Sequence, residues 1–156
     1  MIRKRVVGVA AAAVVAGWGL TAAAVDEPAN IIEYRQATMS AIGDHISMLA
    51  MVAKNEVSFT DEAAGHAHAI NEMSKNVARL FPEGTGQGET DVESEALVVI
   101  WEKPDEFQAA VESFQEESQK MVEAAESGDR VAFAQQLGAL GKEGCGNCHD
   151  TFRAKN

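Results

Sequence analysis

The last twelve residues of the chain contain both of its cysteines, in the run Cys145-Gly146-Asn147-Cys148-His149. Cys-x-x-Cys-His is the attachment motif of c-type haem, in which the two thiols form thioethers with the vinyl groups and the histidine ligates the iron. Residues three apart on a helix share one side, so both cysteines can reach neighbouring edges of one porphyrin while His149 turns towards its iron. The motif predicts one haem c, covalently attached through Cys145 and Cys148, with His149 as an iron ligand.

Three other uses of the two cysteines stay open: a disulfide, a thioredoxin-like redox pair and a zinc site. A redox pair with this spacing normally follows a strand of a βαβ unit, and the sequence shows no strand pattern. Zinc needs a fourth ligand, and the other histidines are isolated along the chain. Haem attachment is favoured because export, a helical context and the lack of any other cysteine agree with it.

The N-terminus has the pattern of a secretory signal peptide. The basic start, residues 1–5, is followed by an uncharged run over residues 6–25. Ala22 and Ala24 fit an A-x-A cleavage site, so we predict a signal peptide over residues 1–24 and a periplasmic haem-binding domain over residues 25–156. An uncleaved membrane anchor is the alternative, because the run approaches the length of a bilayer span, but its alanine-rich composition disfavours one.

The charge balance excludes two classes of partner. The formal net charge of the chain is −11, and it becomes −14 once the three basic residues of the signal peptide are removed. Such a surface repels the phosphates of nucleic acids and anionic lipids. It favours docking to basic redox partner proteins, with no membrane contact after cleavage.

Apolar residues recur at helical spacing in four segments separated by turn signals. The segments run from Ile32 to about Lys54, from Ala63 to Leu80, from Pro104 to Ala125 and from Val131 to Arg153. Four amphipathic helices in one small domain predict an all-α fold, an antiparallel up-down-up-down four-helix bundle enclosing one covalently attached haem.

Two details of this pattern concern the haem end of the bundle. The fourth segment carries Val131, Ala134, Leu137 and Leu140 on its expected buried side. It is expected to loosen at its glycines before it resumes through the motif. The stretch 82–94 is rich in glycine and acidic residues, and we expect it to form a loop across one end of the domain.

The mature chain resembles the class II c-type cytochromes, the cytochrome c′ and cytochrome c-556 family. The resemblance covers the whole domain and implies the four-helix bundle and the haem. Family members often form antiparallel homodimers through their first two helices. The residues that carry the resemblance are Tyr34-Arg35-Gln36, Phe81-Pro82-Glu83-Gly84-Thr85, Ile100-Trp101, Phe107, the Cys145–His149 motif and Arg153.

The resemblance implies that the residue four positions after Arg35, here Met39, is the distal residue of the haem pocket. On a helix, Arg35, Met39, Ile42 and Ile46 share one face, which can look into that pocket. Two outcomes are known in the family: the thioether of Met39 ligates the iron, or Met39 only covers a five-coordinate iron. Ligation is favoured here, and an ordinary core methionine is the remaining alternative.

Three further polar residues are candidate haem contacts. Arg35 lies one turn from Met39, where its guanidinium can pair with a haem propionate. Gln36 follows it and can reach the haem edge. Arg153 resembles the basic residue that family members place over the proximal pocket, although a cation there also stabilises the last helical turn. His45, His66 and His68 are interpreted as surface or rim histidines, the last two pointing in different directions.

Together these features predict a periplasmic monohaem electron carrier, with His149 as the proximal ligand and Met39 as the sixth. The alternative is a five-coordinate haem protein that binds nitric oxide or carbon monoxide beneath a non-ligating Met39. The sequence shows no acid and base pair and no activated nucleophile, so we expect no enzymatic activity.

Overall fold

The computed structural model describes residues 27–155, so the predicted signal peptide, residues 1–24, lies outside the described residues. Within this range the chain is helical, and its only β-type pairing is an isolated antiparallel bridge between Ala96 and Arg153. No helix in this range is long and apolar enough to cross a membrane. The helices are α1 Pro28–Ala53, α2 Ala63–Ser74, a 3-10 turn Val77–Leu80, α3 Val99–Glu102, α4 Pro104–Glu126, α5 Arg130–Ala139, a π-helical segment Leu140–Gly146 and α6 Asn147–Phe152.

The last three of these segments follow one another without a break, and we call them together the fourth helix. In the bundle, α1 packs against α2, α2 against α4, α4 against the fourth helix, and the fourth helix against α1. Each helix therefore contacts the next one in the chain, and the last contacts the first. This arrangement confirms the predicted all-α four-helix bundle.

The helix starts follow from local chemistry. Both α1 and α4 begin with proline, which is tolerated in the first turn because its missing N–H would have no partner there. The side chain of Asp129 caps α5 by accepting hydrogen bonds from the amides of Val131 at 2.8 Å and Ala132 at 3.1 Å. These features fix where the bundle helices begin.

The second bundle helix is shorter than the sequence pattern predicts. The regular α2 ends at Ser74, and the chain continues to Leu80 only as a 3-10 turn. The Ser74 carbonyl accepts a hydrogen bond from the Gln115 side chain at 3.3 Å, and the buried Ser74 hydroxyl donates to the carbonyl of Asn71 at 2.7 Å. In a longer α2 the Ser74 carbonyl would accept a hydrogen bond from the helix backbone. Here it accepts one from the Gln115 side chain of α4.

The buried face of the fourth helix also differs from the prediction. Val131 is 66% exposed, and Ala134 is exposed as well. Phe133 is buried instead, together with Leu140, which lies seven residues later on the same side of the helix. The Asp129 cap sets this register, because it holds Val131 in the first turn, where the side chain points to solvent.

The loop between α2 and α3 is held to the bundle by Arg35. Its guanidinium donates to the carbonyl of Leu80 at 3.0 Å, the hydroxyl and carbonyl of Thr85 at 2.9 and 2.7 Å, and the hydroxyl of Ser94 at 2.9 Å. The three residues that accept these bonds, Leu80, Thr85 and Ser94, are all buried. The predicted loop across one end of the domain is therefore a fixed structure rather than a flexible connection.

Replacing Thr85 tests how much this loop contributes to stability. Thr85 is fully buried, and its hydroxyl accepts from Arg35 and donates to the carbonyl of Pro82 at 2.8 Å. Thr85→Val leaves both groups without this partner, so we expect the free energy of unfolding to fall by about 1–3 kcal/mol. Urea denaturation of the purified protein measures the change.

Thr38→Val is the matched control. Thr38 lies on α1, and its hydroxyl only donates back to the carbonyl of Tyr34 within the same helix, at 2.9 Å. We expect this variant to unfold within about 0.5 kcal/mol of the unmodified protein. Equal losses in the two variants would contradict the role of Thr85 in the loop.

Candidate haem site

One cavity of about 660 Å³ lies at the end of the bundle where the loop crosses it. Its volume falls within the roughly 300–1,000 Å³ typical of cofactor sites. Its walls come from the middle of α1, the N-terminal half of α4, the loop segment 94–96 and the end of the fourth helix. All seven residues predicted as haem contacts line this cavity: Arg35, Gln36, Met39, Cys145, Cys148, His149 and Arg153.

The π-helical segment shapes the wall that carries the cysteines. A π turn spans one residue more than an α turn, so the helix is wider there. The Ser113 hydroxyl of α4 donates to the carbonyl of Glu143 within this segment at 3.0 Å. A Cβ on Gly144 would lie 2.9 Å from the Leu140 side chain of the same segment and 3.4 Å from Phe114 of α4, so a larger residue here would need the Leu140 side chain to move. The predicted loosening of this helix is confirmed.

Cys145 is the last residue but one of the π-helical segment, and Cys148 lies in the first turn of α6. Both cysteines are free and half-buried. Burial raises the pKa of the Cys145 thiol, and burial together with the neighbouring Cys145 raises the pKa of Cys148 to about 11. Both side chains are therefore thiols at neutral pH.

The geometry disfavours the other uses of the two cysteines. A redox pair needs a reactive thiolate, and the burial that raises the pKa of both cysteines disfavours that form. Residues 27–155 contain no strand to support a thioredoxin-like unit. In the same range no group of three or more histidine, cysteine or acidic side chains is placed to hold a metal ion.

His149 follows Cys148 on α6 and is exposed at the edge of the cavity. Partial burial of its ring lowers its pKa, and the cation of Arg153 lowers it further. Both effects favour the neutral imidazole, which is the form that ligates iron. The local electrostatics therefore prepare His149 to act as a ligand.

Met39 lies on the α1 wall of the cavity, while His149 lies on the wall formed by the fourth helix. Met39 is half-buried, and the side chains lining the cavity beside it are largely apolar. They include Ile42 and Ile46 of α1 and Val111 and Phe114 of α4. A thioether can approach a bound group from this wall, and the surroundings give it little competition from water.

Arg35 places a buried positive charge in the same wall, since the residue is only 5% exposed. Its guanidinium lies 4.7 Å from the centre of the Phe81 ring, and the hydrogen-bond acceptors described for it are all neutral. Burial lowers the pKa of Arg35, yet guanidinium groups stay charged in proteins. A cation in these surroundings is suited to receive a carboxylate from the cavity.

The sequence prediction missed the loop contacts of this arginine. The four bonds to Leu80, Thr85 and Ser94 use both Nη atoms twice, so Nε is the guanidinium nitrogen that they leave for a further acceptor. The Gln36 amide likewise donates to the carbonyl of Glu93 at 2.7 Å, although the residue also lines the cavity. In the sequence, Thr85 and Ser94 are only two hydroxyl residues of a glycine-rich stretch, which does not indicate a contact with Arg35.

Arg153 lies just after the end of α6, in an extended conformation. Its Nε donates to a carboxylate oxygen of Glu95 at 2.6 Å. Two backbone hydrogen bonds add to this ion pair. The amide of Leu97 donates to the carbonyl of Phe152 at 3.0 Å, and the amide of Ala154 donates to the backbone carbonyl of Glu95 at 2.8 Å. These bonds join the C-terminal segment to the loop and close the cavity at the level of the motif.

Aromatic rings form the base of this region. Phe152 meets Phe107 edge to face, with ring centres 5.4 Å apart, and Phe107 meets Phe81 in the same way at 5.1 Å. Phe152 and Phe81 both line the cavity. The three rings give a planar apolar group a stiff surface to pack against.

The three other histidines lie away from the cavity. His68 is exposed and paired with Glu126 at 2.8 Å, as expected for a surface residue. His45 and His66 are half-buried, and their Nδ1 atoms lie 3.0 Å apart across α1 and α2. The interpretation of this pair as ordinary rim residues missed their contact, because nothing in the sequence indicates which helix faces meet.

Known proteins share both the sequence and the fold of this chain. The sequence model of the cytochrome c′ family matches residues 30–153. The chain is 36% identical over 126 residues to the cytochrome c′ of Pararhodospirillum photometricum, covering 81% of this chain and 98% of that protein.

Solved structures of this family have the same bundle. The crystal structure of cytochrome c′ from Rubrivivax gelatinosus matches with a TM-score of 0.73 and 28% identity, covering 82% of this chain and 98% of that one. A ferrous variant of the cytochrome c′ of Alcaligenes xylosoxidans with bound nitric oxide matches with a TM-score of 0.74 and 23% identity, covering 83% and 98%.

A haem c fits the residues that line the cavity. The family binds haem c covalently, and the chain has two cysteines for it, both on one wall beside a neutral histidine. The haem propionates carry negative charge, and the buried Arg35 places a positive charge in the cavity wall that can pair with them. On the family match, the shared bundle and this cavity, the chain belongs to the cytochrome c′ family of class II c-type cytochromes.

Proposed function

We propose that the chain is an exported monohaem electron carrier, in which His149 is the proximal iron ligand and Met39 the sixth ligand. The observation that carries this proposal is the placement of Met39 and His149 on different walls of one cavity whose lining also includes both cysteines. Haem c supplies one-electron chemistry when bound, and a thioether ligand raises its reduction potential.

The chain's own residues hold and tune the cofactor. Cys145 and Cys148 attach it, and the widened helix before them sets the position of both thiols. The neutral imidazole of His149 would ligate the iron, and the apolar neighbours of Met39 would keep water from that wall of the cavity. Arg35 would bind a propionate through its remaining Nε–H, and Gln36 and Arg153 would contact the haem from the cavity wall.

A second candidate function is the binding of nitric oxide or carbon monoxide at a five-coordinate iron, with Met39 only covering the distal side. Two observations favour it: the related Alcaligenes xylosoxidans protein was solved with bound nitric oxide, and the wall around Met39 is apolar. An apolar distal side admits small neutral ligands and repels polar ones. The two candidates differ only in whether the Met39 sulfur is bound to the iron.

The remaining parts of the proposal concern the setting of the protein. We propose cleavage after Ala24, function in the periplasm without membrane attachment, docking of a basic redox partner on the acidic surface, and assembly as a homodimer. We also propose a carrier rather than an enzyme, because the titratable side chains in the cavity wall all serve haem binding or loop attachment. These are Arg35, Glu95, Cys145, Cys148, His149 and Arg153.

Covalent attachment is tested by replacing the cysteines. We expect Cys145→Ala/Cys148→Ala to lose all haem from denaturing gels stained for haem peroxidase activity, because no other thiol is present in the chain. Each single variant keeps one thioether and is expected to retain stain with a shifted visible spectrum. An unmodified mature chain that runs without stain would falsify covalent attachment.

The role of Met39 is tested by Met39→Ala in the ferric protein. If the sulfur ligates the iron, we expect the weak sulfur-to-iron charge-transfer band to disappear and the iron to become high-spin. The reduction potential should fall by on the order of 0.1 V, a fraction of the roughly 0.8 V that axial ligands span. Absorption spectroscopy and a redox titration measure the two changes.

Met48→Ala is the control for Met39→Ala. Met48 is also a half-buried methionine of α1, but it lies nine residues further on, about 180° around the helix, and does not line the cavity. We expect this variant to keep the spectrum and the potential of the unmodified protein. A high-spin spectrum in the unmodified protein itself favours the gas-binding function instead.

The proposed export predicts a defined N-terminus. N-terminal sequencing of the protein purified from the periplasm is expected to begin at Val25. A start at Met1 in a membrane fraction would contradict cleavage and indicate an anchored protein.

A further inference from the structure

His45 of α1 and His66 of α2 form a contact that the haem site does not use. Their Nδ1 atoms lie 3.0 Å apart, and their ring centres lie 5.1 Å apart with a 45° angle between the planes. Both residues are half-buried, and neither lines the cavity that holds Met39 and His149. The two imidazoles therefore form a pair of nitrogen ligands between α1 and α2, outside the cavity.

Two neutral imidazoles can place ring nitrogens this close in two ways. In the first, one Nδ1–H donates to the lone pair of the other Nδ1. In the second, both lone pairs point to one metal ion. Zinc binds imidazole nitrogen at about 2.0–2.1 Å, so two nitrogens on one tetrahedral ion lie about 3.3 Å apart. The observed separation of 3.0 Å needs to open by only about 0.3 Å to reach that geometry.

We infer that His45 and His66 form a binding site for a divalent transition-metal ion of the zinc and copper class. Each ring donates the lone pair of Nδ1, and water fills the other positions of the ion. Imidazole ligands suit zinc, copper and nickel better than calcium or magnesium. When the ion binds to neutral rings, the ring that carried the Nδ1 proton takes it on Nε2 instead, so no net proton is released.

The position of the pair favours a cation for two reasons. The rings belong to two packed helices, so much of the cost of bringing two ligands together is met by folding. The chain is also strongly acidic, with a formal net charge of −11, and Asp44 and Glu62 lie one residue before His45 and four before His66. In residues 27–155 no third histidine, cysteine or acidic side chain completes the site, so we expect one weakly held ion with exchangeable water.

Calorimetric titration of the haem-loaded protein with Zn²⁺ tests the inference. The haem-loaded form is used because it is the functional form of the proposal, in which Cys145, Cys148 and His149 are taken up by the cofactor. We expect one site per chain. His45→Gln and His66→Gln are each expected to weaken the affinity more than about tenfold, since losing a ligand costs at least as much as losing an outer hydrogen-bond partner.

His68→Gln is the matched control, because His68 lies on the same helix as His66 but pairs with Glu126 at 2.8 Å. We expect its zinc affinity to equal that of the unmodified protein. The haem spectrum and helical circular dichroism of each variant establish that it is folded. Zinc-edge X-ray absorption of the unmodified protein, which needs no variant, is expected to show two imidazole ligands.

Three results would overturn the inference. The first is no zinc uptake by the unmodified protein, and the second is an unchanged affinity in His45→Gln and His66→Gln. The third is an absorption spectrum without two imidazoles in the zinc shell. Any of them would identify the pair as a proton-sharing contact between α1 and α2. None of them bears on the haem function, because the pair lies outside the cavity.

Discussion

The haem end of this bundle depends on the hydrogen bonds of one buried cation, the guanidinium of Arg35. Four bonds from α1 hold the loop at Leu80, Thr85 and Ser94, and the segment after Ser94 pairs with the C-terminal residues beyond the haem motif. Helix, loop and C-terminus are thereby joined around one cavity. The same charge is suited to a propionate, so under the proposed function the group that assembles the wall would also bind the cofactor.

A second constraint acts on the opposite wall. The attachment motif requires both thiols and the histidine to face one planar group, while the helix that carries them must also pack against α4. The π-helical segment meets both needs, because Gly144 leaves room for the Leu140 side chain and the Ser113 hydroxyl of α4 donates to the carbonyl of Glu143. The resulting site combines thiols kept protonated by burial with an imidazole kept neutral, which suits attachment and ligation rather than redox chemistry of the cysteines.

The sequence predicted the four helices and the loop, because helical periodicity and turn signals are local properties. The Cys-x-x-Cys-His spacing identified three residues of the cavity wall, and the family resemblance added Arg35, Gln36, Met39 and Arg153. Sequence prediction failed where a partner helix decides the outcome. Gln115 ends α2 early, the Asp129 cap turns Val131 outward in favour of Phe133, and His45 meets His66 across two helices. The bonds of Arg35 to the loop depend on contacts more than forty residues apart in the chain, which no periodicity reveals.

The proposed electron transfer depends on ligation of the iron by both His149 and Met39. Ligation by His149 alone would favour gas binding instead. Near-infrared magnetic circular dichroism of the ferric, haem-loaded protein reports the pair of axial ligands directly. We expect the low-spin signature of a histidine and methionine pair. A high-spin signature of histidine alone would contradict it and assign Met39 to covering the distal side.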